Sequence, residues 1–122
     1  MSAAKILFAD DDGALREVVR NQLVENGYLV DEADDGEKTV EMLRGGSYDL
    51  LLLDINMPGK SGIDVLKFIK EEGVNCRVIM LTGRVGFSIA TESIKLGAAE
   101  YITKPFTLEY LLSSIERVLP KE

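Results

Sequence analysis

Short apolar runs of strand length alternate five times with segments of helical period along this chain, and that alternation leaves few architectures open. The runs cover residues 5–9, about 28–33, 48–53, 77–81 and 101–103. Helical segments follow each of them and stop at Asn26-Gly27, Gly45-Gly46, Gly73, Gly97 and Pro120. On the first helix Leu15, Val18, Val19, Gln22 and Leu23 form one stripe; on the third, Val65, Leu66 and Ile69 face inward. The second helix spans 36–44, the fourth 87–96 and the last 108–119, with Thr107 as its N-cap and Leu111, Leu112, Ile115 and Val118 turned inward. The third strand contains four consecutive leucines without polar alternation, so both of its faces must be covered. Five βα units imply a doubly wound parallel sheet with helices on both faces, whose ligand crevice lies at the carboxyl ends of the strands. The residues standing there are Asp10-Asp11-Asp12, Asp54, Thr82 and Lys104.

Asp10 to Asp12 directly follow one apolar run and Asp54 directly follows another. If both runs are buried parallel strands, their carboxylates meet at one sheet edge and repel unless a cation joins them. Histidine is absent, which removes Ser/His/Asp and Cys/His hydrolysis and leaves carboxylates, hydroxyls, lysine or a metal for any chemistry. A formal charge of −7 without a basic cluster argues against nucleic acid or anionic lipid as direct partners. Cys76 is the only cysteine, so an internal disulfide is excluded, and it reads as a small half-buried residue beside a strand. With 122 residues, no linker and no apolar run long enough to cross a membrane, the expectation is one domain over 1–122 in the cytoplasm.

Asp10-Asp11 after the first strand, Asp54 after the third, Thr82-Gly83 after the fourth and Lys104-Pro105-Phe106 after the fifth together resemble the receiver domain of two-component response regulators. The resemblance runs the whole length of the chain. It implies a flavodoxin-like (βα)5 receiver fold with five parallel strands in the order 2-1-3-4-5. A carboxylate at the mouth of the central strand can act as a nucleophile and form an aspartyl phosphate. A phosphoryl group adds about two negative charges to an already acidic crevice, which calls for a divalent cation, and hard oxygen ligands favour Mg²⁺. By resemblance, Asp11, Asp54 and the backbone carbonyl of Asn56 would ligate the ion, with Asp10 acting partly through water. Asp12 is expected to cap the first helix.

The same resemblance assigns the remaining roles. Lys104 would pair with Asp54 before the reaction and with a phosphoryl oxygen after it, and its bond to Pro105 would be cis. Thr82 would donate its hydroxyl to another oxygen, and Gly83 would leave room and offer its N–H. Thr82 and Tyr101 would form the switch, read on the face of helix four, strand five and helix five. Asn56 and Arg84 would flank the attacking water and tune the phosphoryl lifetime. The implied partners are a sensor histidine kinase or a histidine phosphotransfer protein as donor, with Leu15 and Val18 as candidate contacts, and a downstream protein as target. On this reading the chain is not an enzyme beyond its own phosphorylation and slow dephosphorylation, and it is a stand-alone receiver or one cut from a larger, for example transcriptional, regulator. A haloacid dehalogenase-like phosphatase would need a second carboxylate two residues after Asp54, where Asn56 stands. A flavodoxin-like carrier would find its flavin phosphate repelled by Asp10 to Asp12. A pseudo-receiver would not need the full residue set.

Overall fold

The computed structural model describes residues 3–83 and 87–119. Its elements alternate as β1 (Lys5–Ala9), α1 (Gly13–Glu25), β2 (Leu29–Ala33), α2 (Gly36–Gly45), β3 (Leu50–Asp54), α3 (Gly62–Glu72), β4 (Arg77–Thr82), α4 (Phe87–Lys95), β5 (Glu100–Thr103) and α5 (Leu108–Val118). All neighbouring strands pair in parallel in the order β2-β1-β3-β4-β5, which is the doubly wound, flavodoxin-like arrangement expected. Arg84, expected to tune the phosphoryl lifetime, lies outside the described residues.

The leucine run explains why the sheet sits between two helical layers. Successive strand side chains point to opposite faces. Leu51 and Leu53 therefore join Val40 and Leu43 of α2 and Val65, Leu66 and Ile69 of α3, whereas Leu50 and Leu52 join Val19 and Leu23 of α1 and Leu111 and Ile115 of α5. Every β3 residue is buried. Each leucine taken fully out of water contributes roughly 2 kcal/mol, so this strand anchors both cores.

Helix ends follow local chemistry. Asp12 accepts from the Leu15 N–H as the expected N-cap, Thr107 caps α5 through Tyr110, and Ser61 with Asp64 forms a reciprocal capping box on α3. Gly73 ends α3 in the left-handed conformation at φ 66°.

Several expectations shift by a residue or two. β3 and β4 extend through the polar residues Asp54 and Thr82, because the ladder pairs Asp54 with Leu81 and Thr82 with Thr103. At the other end, β3 begins at Leu50 and not at Tyr48. Tyr48 is buried, but it is held by its hydroxyl donating to Asp31 at 2.7 Å and by the Lys5 ammonium 4.9 Å from its ring centre. Val18 does not belong to the inward stripe: it is 53% exposed, about 100° around α1 from the fully buried Val19. Leu15 and Leu112 are half-buried against the core. Cys76 is half-buried as expected, and burial, followed by the charge of Asp49, pushes its thiol up to about 12. No helix among the described residues is long and apolar enough to cross a membrane.

The register of α1 can be checked directly. Val19→Ala is expected to cost about 2 kcal/mol in urea unfolding. Val18→Ala should cost less than about 0.5 kcal/mol. Equal losses at the two positions would place the helix face wrongly.

Candidate functional site

Parallel pairing brings the ends of β1, β3, β4 and β5 to one edge, because Ala9 lies beside Leu53, Asp54 beside Leu81 and Thr82 beside Thr103. Four of the residues picked out by sequence converge there. Carboxylate oxygens of Asp10, Asp11 and Asp54 all lie within 4.8 Å of one another. Asp10 is fully buried, Asp54 is 4% exposed and Asp11 is exposed. Lys104 reaches in from the segment after β5 and places its Nζ 2.6 Å from Asp10 Oδ2 and 3.5 Å from Asp54 Oδ2. It therefore pairs with Asp54 as expected, but its shorter contact is with Asp10. The Lys104–Pro105 peptide is cis.

Backbone groups complete the cradle. Asp12 N–H donates to Asp10 Oδ1 at 2.9 Å, and Asn56 N–H donates to Asp54 Oδ1 at 3.3 Å. The Lys104 N–H donates to the Thr82 carbonyl at 2.8 Å, tying the lysine to the end of β4. Thr82 is fully buried at that strand end. A Cβ at Gly83 would meet nothing within 4 Å, so the space beside it is open. Tyr101 is half-buried on β5, opposite Met80 and packed against the core shared with α2 and α3.

The loop from Ile55 to Ser61 carries Asn56 and is held closely on two sides. A Cβ at Gly36 would collide with the Lys60 carbonyl, and one at Gly62 with the Asp54 carbonyl and Ile55 Cα. Gly36 N–H also donates to the Pro58 carbonyl at 3.3 Å, and Gly62 N–H to the Ile55 carbonyl at 2.9 Å. These contacts escape a sequence reading, since a glycine at a helix start looks like punctuation. Arg16 was also missed. It donates through Nε to Glu32 Oε1 at 3.0 Å and through Nη1 to the Asp10 carbonyl. One signal was available: α1 has no acid in its first turn and an arginine just beyond it, where the helix dipole disfavours a cation.

Charge crowding sets the electrostatics. Burial, then the charge of Asp10, raises the Asp54 carboxyl above its ordinary 3.8, against the opposing pull of Lys104 and the Asn56 N–H. Burial alone would lower the Lys104 ammonium. Its hydrogen bonds to Asp10 and Asp54 and their charges outweigh that, so it is raised and stays charged. The donor set is all oxygen, three carboxylates with one open to water, which fits a hard divalent ion such as Mg²⁺ that keeps several of its waters.

Comparison with known proteins bears on the family and the fold. The family model for the response regulator receiver domain matches residues 6–116. The transcriptional regulatory protein DltR of Streptococcus agalactiae is 39% identical over 111 residues, which are 91% of this chain and 50% of DltR. The chain thus spans about half the length of the curated relatives it matches. Among solved structures, the chemotaxis protein CheY4 of Vibrio cholerae has a TM-score of 0.90 at 30% identity, covering 97% of this chain and 100% of that one. The response regulator TrrA of Thermotoga maritima, in complex with Mg²⁺-BeF, has a TM-score of 0.85 at 34% identity, covering 98% and 100%.

The raised Asp54 carboxyl has a stability consequence in metal-free protein. Folding favours its neutral form, so stability present below 3.8 is lost as pH rises through the folded-state value. Asp54→Asn removes that loss. In EDTA at pH 7 the variant should be more stable than wild type by about 1–2 kcal/mol, the scale of an imperfectly compensated buried charge. The gain should vanish below pH 3.8, where wild-type Asp54 is protonated in both states. Urea midpoints measured across pH test both halves of this expectation.

Proposed function

This chain belongs to the response regulator receiver domain family, and from that premise we propose that Asp54 accepts a phosphoryl group from a phosphohistidine and that the modified domain signals to a partner protein. The observation carrying the proposal is the convergence of Asp10, Asp11 and Asp54 within 4.8 Å, with Lys104 reaching both buried members. A lone strand-end aspartate could be a cap. Three carboxylates gathered with their counter-ion at one sheet edge make a site for accepting charge.

In the proposed reaction an Asp54 carboxylate oxygen forms the O–P bond as the P–N bond to the donor imidazole breaks. The electron pair leaves on the imidazole nitrogen, which takes a proton from solvent. Mg²⁺, held by Asp11, Asp54 and the Asn56 carbonyl with Asp10 partly through water, would offset the charge of the carboxylates and of the incoming phosphoryl oxygens. Asp10 keeps Lys104 at the mouth of the pocket. Lys104, as a mobile point charge held protonated, turns to a phosphoryl oxygen once transfer has occurred. The Thr82 hydroxyl and the Gly83 N–H supply donors for the other oxygens, and the open space at Gly83 gives the group room.

Signalling then passes from Thr82 to Tyr101, whose populations of two side-chain arrangements are biased by the phosphoryl group and read on the face of α4, β5 and α5. Thr82 ends β4 and Tyr101 lies on the adjacent strand β5, which supports that route. Asn56, exposed two residues after Asp54, and Arg84 are proposed to tune hydrolysis of the aspartyl phosphate. The donor is a sensor histidine kinase or a histidine phosphotransfer protein, and the exposed Val18 on α1 is a candidate contact for it. On this reading the domain, 1–122, is cytoplasmic, binds neither nucleic acid nor membrane itself, and turns over no external substrate. Two outputs fit this reading: a receiver that acts on a protein target by itself, and the regulatory part of a transcriptional regulator, the description that the relative DltR carries.

Incubation with acetyl phosphate and Mg²⁺ should add one phosphoryl group by intact mass. Asp54→Asn or EDTA should abolish the addition, and Lys104→Met should slow it by about 10²-fold. Labelling that persists in Asp54→Asn would move the acceptor elsewhere and end the proposal.

A further inference from the structure

Asp11 is the exposed member of the acidic trio, so burial does nothing to hold it in place. Its position depends on the backbone, and one contact controls the peptide that leads into it. We propose that Arg16 and Glu32 form a positioning pair that orients the Asp10–Asp11 peptide and thereby sets the pocket's affinity for a divalent cation. This rests on the reading of the pocket as a Mg²⁺-dependent phosphoryl acceptor.

The geometry is that of a clamp. Arg16 Nη1 donates to the Asp10 carbonyl while Nε of the same planar guanidinium donates to Glu32 Oε1 at 3.0 Å. Glu32 stands on β2 beside Phe8 of β1, so it offers a fixed anchor point. The side chains are 18% and 33% exposed, which shields the pair from the screening that weakens surface ion pairs. The second oxygen of Glu32 lies 3.1 Å from Arg20 Nε, yet that nitrogen has no aligned hydrogen bond, so the oriented partner is Arg16.

The remaining polar groups of Asp10 are already committed. Its N–H donates to the Ala33 carbonyl at 3.0 Å, its Oδ1 accepts from Asp12 N–H, and its Oδ2 faces Lys104. Arg16 takes the last one, the carbonyl of the rigid peptide plane whose N–H belongs to Asp11. Without that contact ψ of Asp10 is free to change, and a change in ψ not offset by φ of Asp11 would swing the Asp11 Cα–Cβ bond out of the cluster. Glu32 also neutralises a cation that would otherwise stand at the positive end of α1, close to a cation site. Lysine carries one terminal nitrogen and cannot bridge both partners in the same way.

The test is Mg²⁺ titration of the whole chain by calorimetry, paired with urea unfolding in EDTA and the ¹⁵N signal of the Asp11 amide in metal-free protein. Arg16→Met should weaken Mg²⁺ binding by about tenfold or more, the usual effect of losing a residue that orients a metal ligand. It should also move the Asp11 amide signal. Arg16→Lys should recover only part of the affinity, and Glu32→Gln should weaken binding in the same direction. Wild-type Mg²⁺ affinity in Arg16→Met, with only the urea midpoint lowered, would reduce the pair to a structural brace and overturn the proposal. If Arg16→Met does not fold, unchanged affinity in Glu32→Gln has the same consequence. If wild type itself fails to bind Mg²⁺, the functional reading falls instead. The Asp11 amide signal then decides the positioning role: a shift in Arg16→Met upholds it and an unmoved signal refutes it.

Discussion

The ammonium of Lys104 between Asp10 and Asp54 is the interaction on which the rest of the site depends. Two carboxylates taken out of water beside a third would repel strongly, and Lys104 is the cation that pairs with both buried carboxylates, Arg16 reaching only the Asp10 carbonyl. Lys104 makes the arrangement tolerable in the absence of metal without saturating it. It hydrogen-bonds Asp10 closely and stands further from Asp54, so the carboxylate at the end of the central strand keeps a raised affinity for protons and, by the same electrostatics, for cations.

That balance is possible because the scaffold is stiff where the charges are. The four leucines of β3 are locked between two helical layers, which leaves Asp54 little freedom at the point where the strand ends. β1 on one side and β4 on the other run parallel to it in register, and parallel strands deliver all their carboxyl ends to one edge. The loop after β3 is pressed between Gly36 and Gly62, positions where any side chain would strike backbone. Burial therefore does two things: it stabilises the fold, and it raises the energy of the charges that the fold gathers.

The helix after β1 shows how local and distant contacts divide the work. Asp12 caps α1 and its N–H holds one oxygen of Asp10, both through chain neighbours. Arg16 reaches back from the same helix to the Asp10 carbonyl and outward to Glu32 on another strand. One face of α1 buries Val19 and Leu23, while Val18 is left to solvent. A single helix thus packs the core, trims the acidic pocket and presents an apolar residue to the outside.

The order of elements, the burial of the 50–53 run, the caps at Asp12 and Thr107 and the identity of the strand-end residues were all legible in the amino-acid order. Each follows from short-range periodicity or from groups within a few residues of one another. The preference of Lys104 for Asp10, the steric demands at Gly36 and Gly62, the outward turn of Val18 and the reach of Arg16 to Glu32 were decided only by the tertiary structure. Those contacts join residues distant along the chain, or turn on which side of a helix meets the sheet, and linear spacing carries no distance between atoms. The sequence by itself determined which groups arrive at one edge of the sheet; three-dimensional packing decided which of them touch, because only there do burial and charge act on each other.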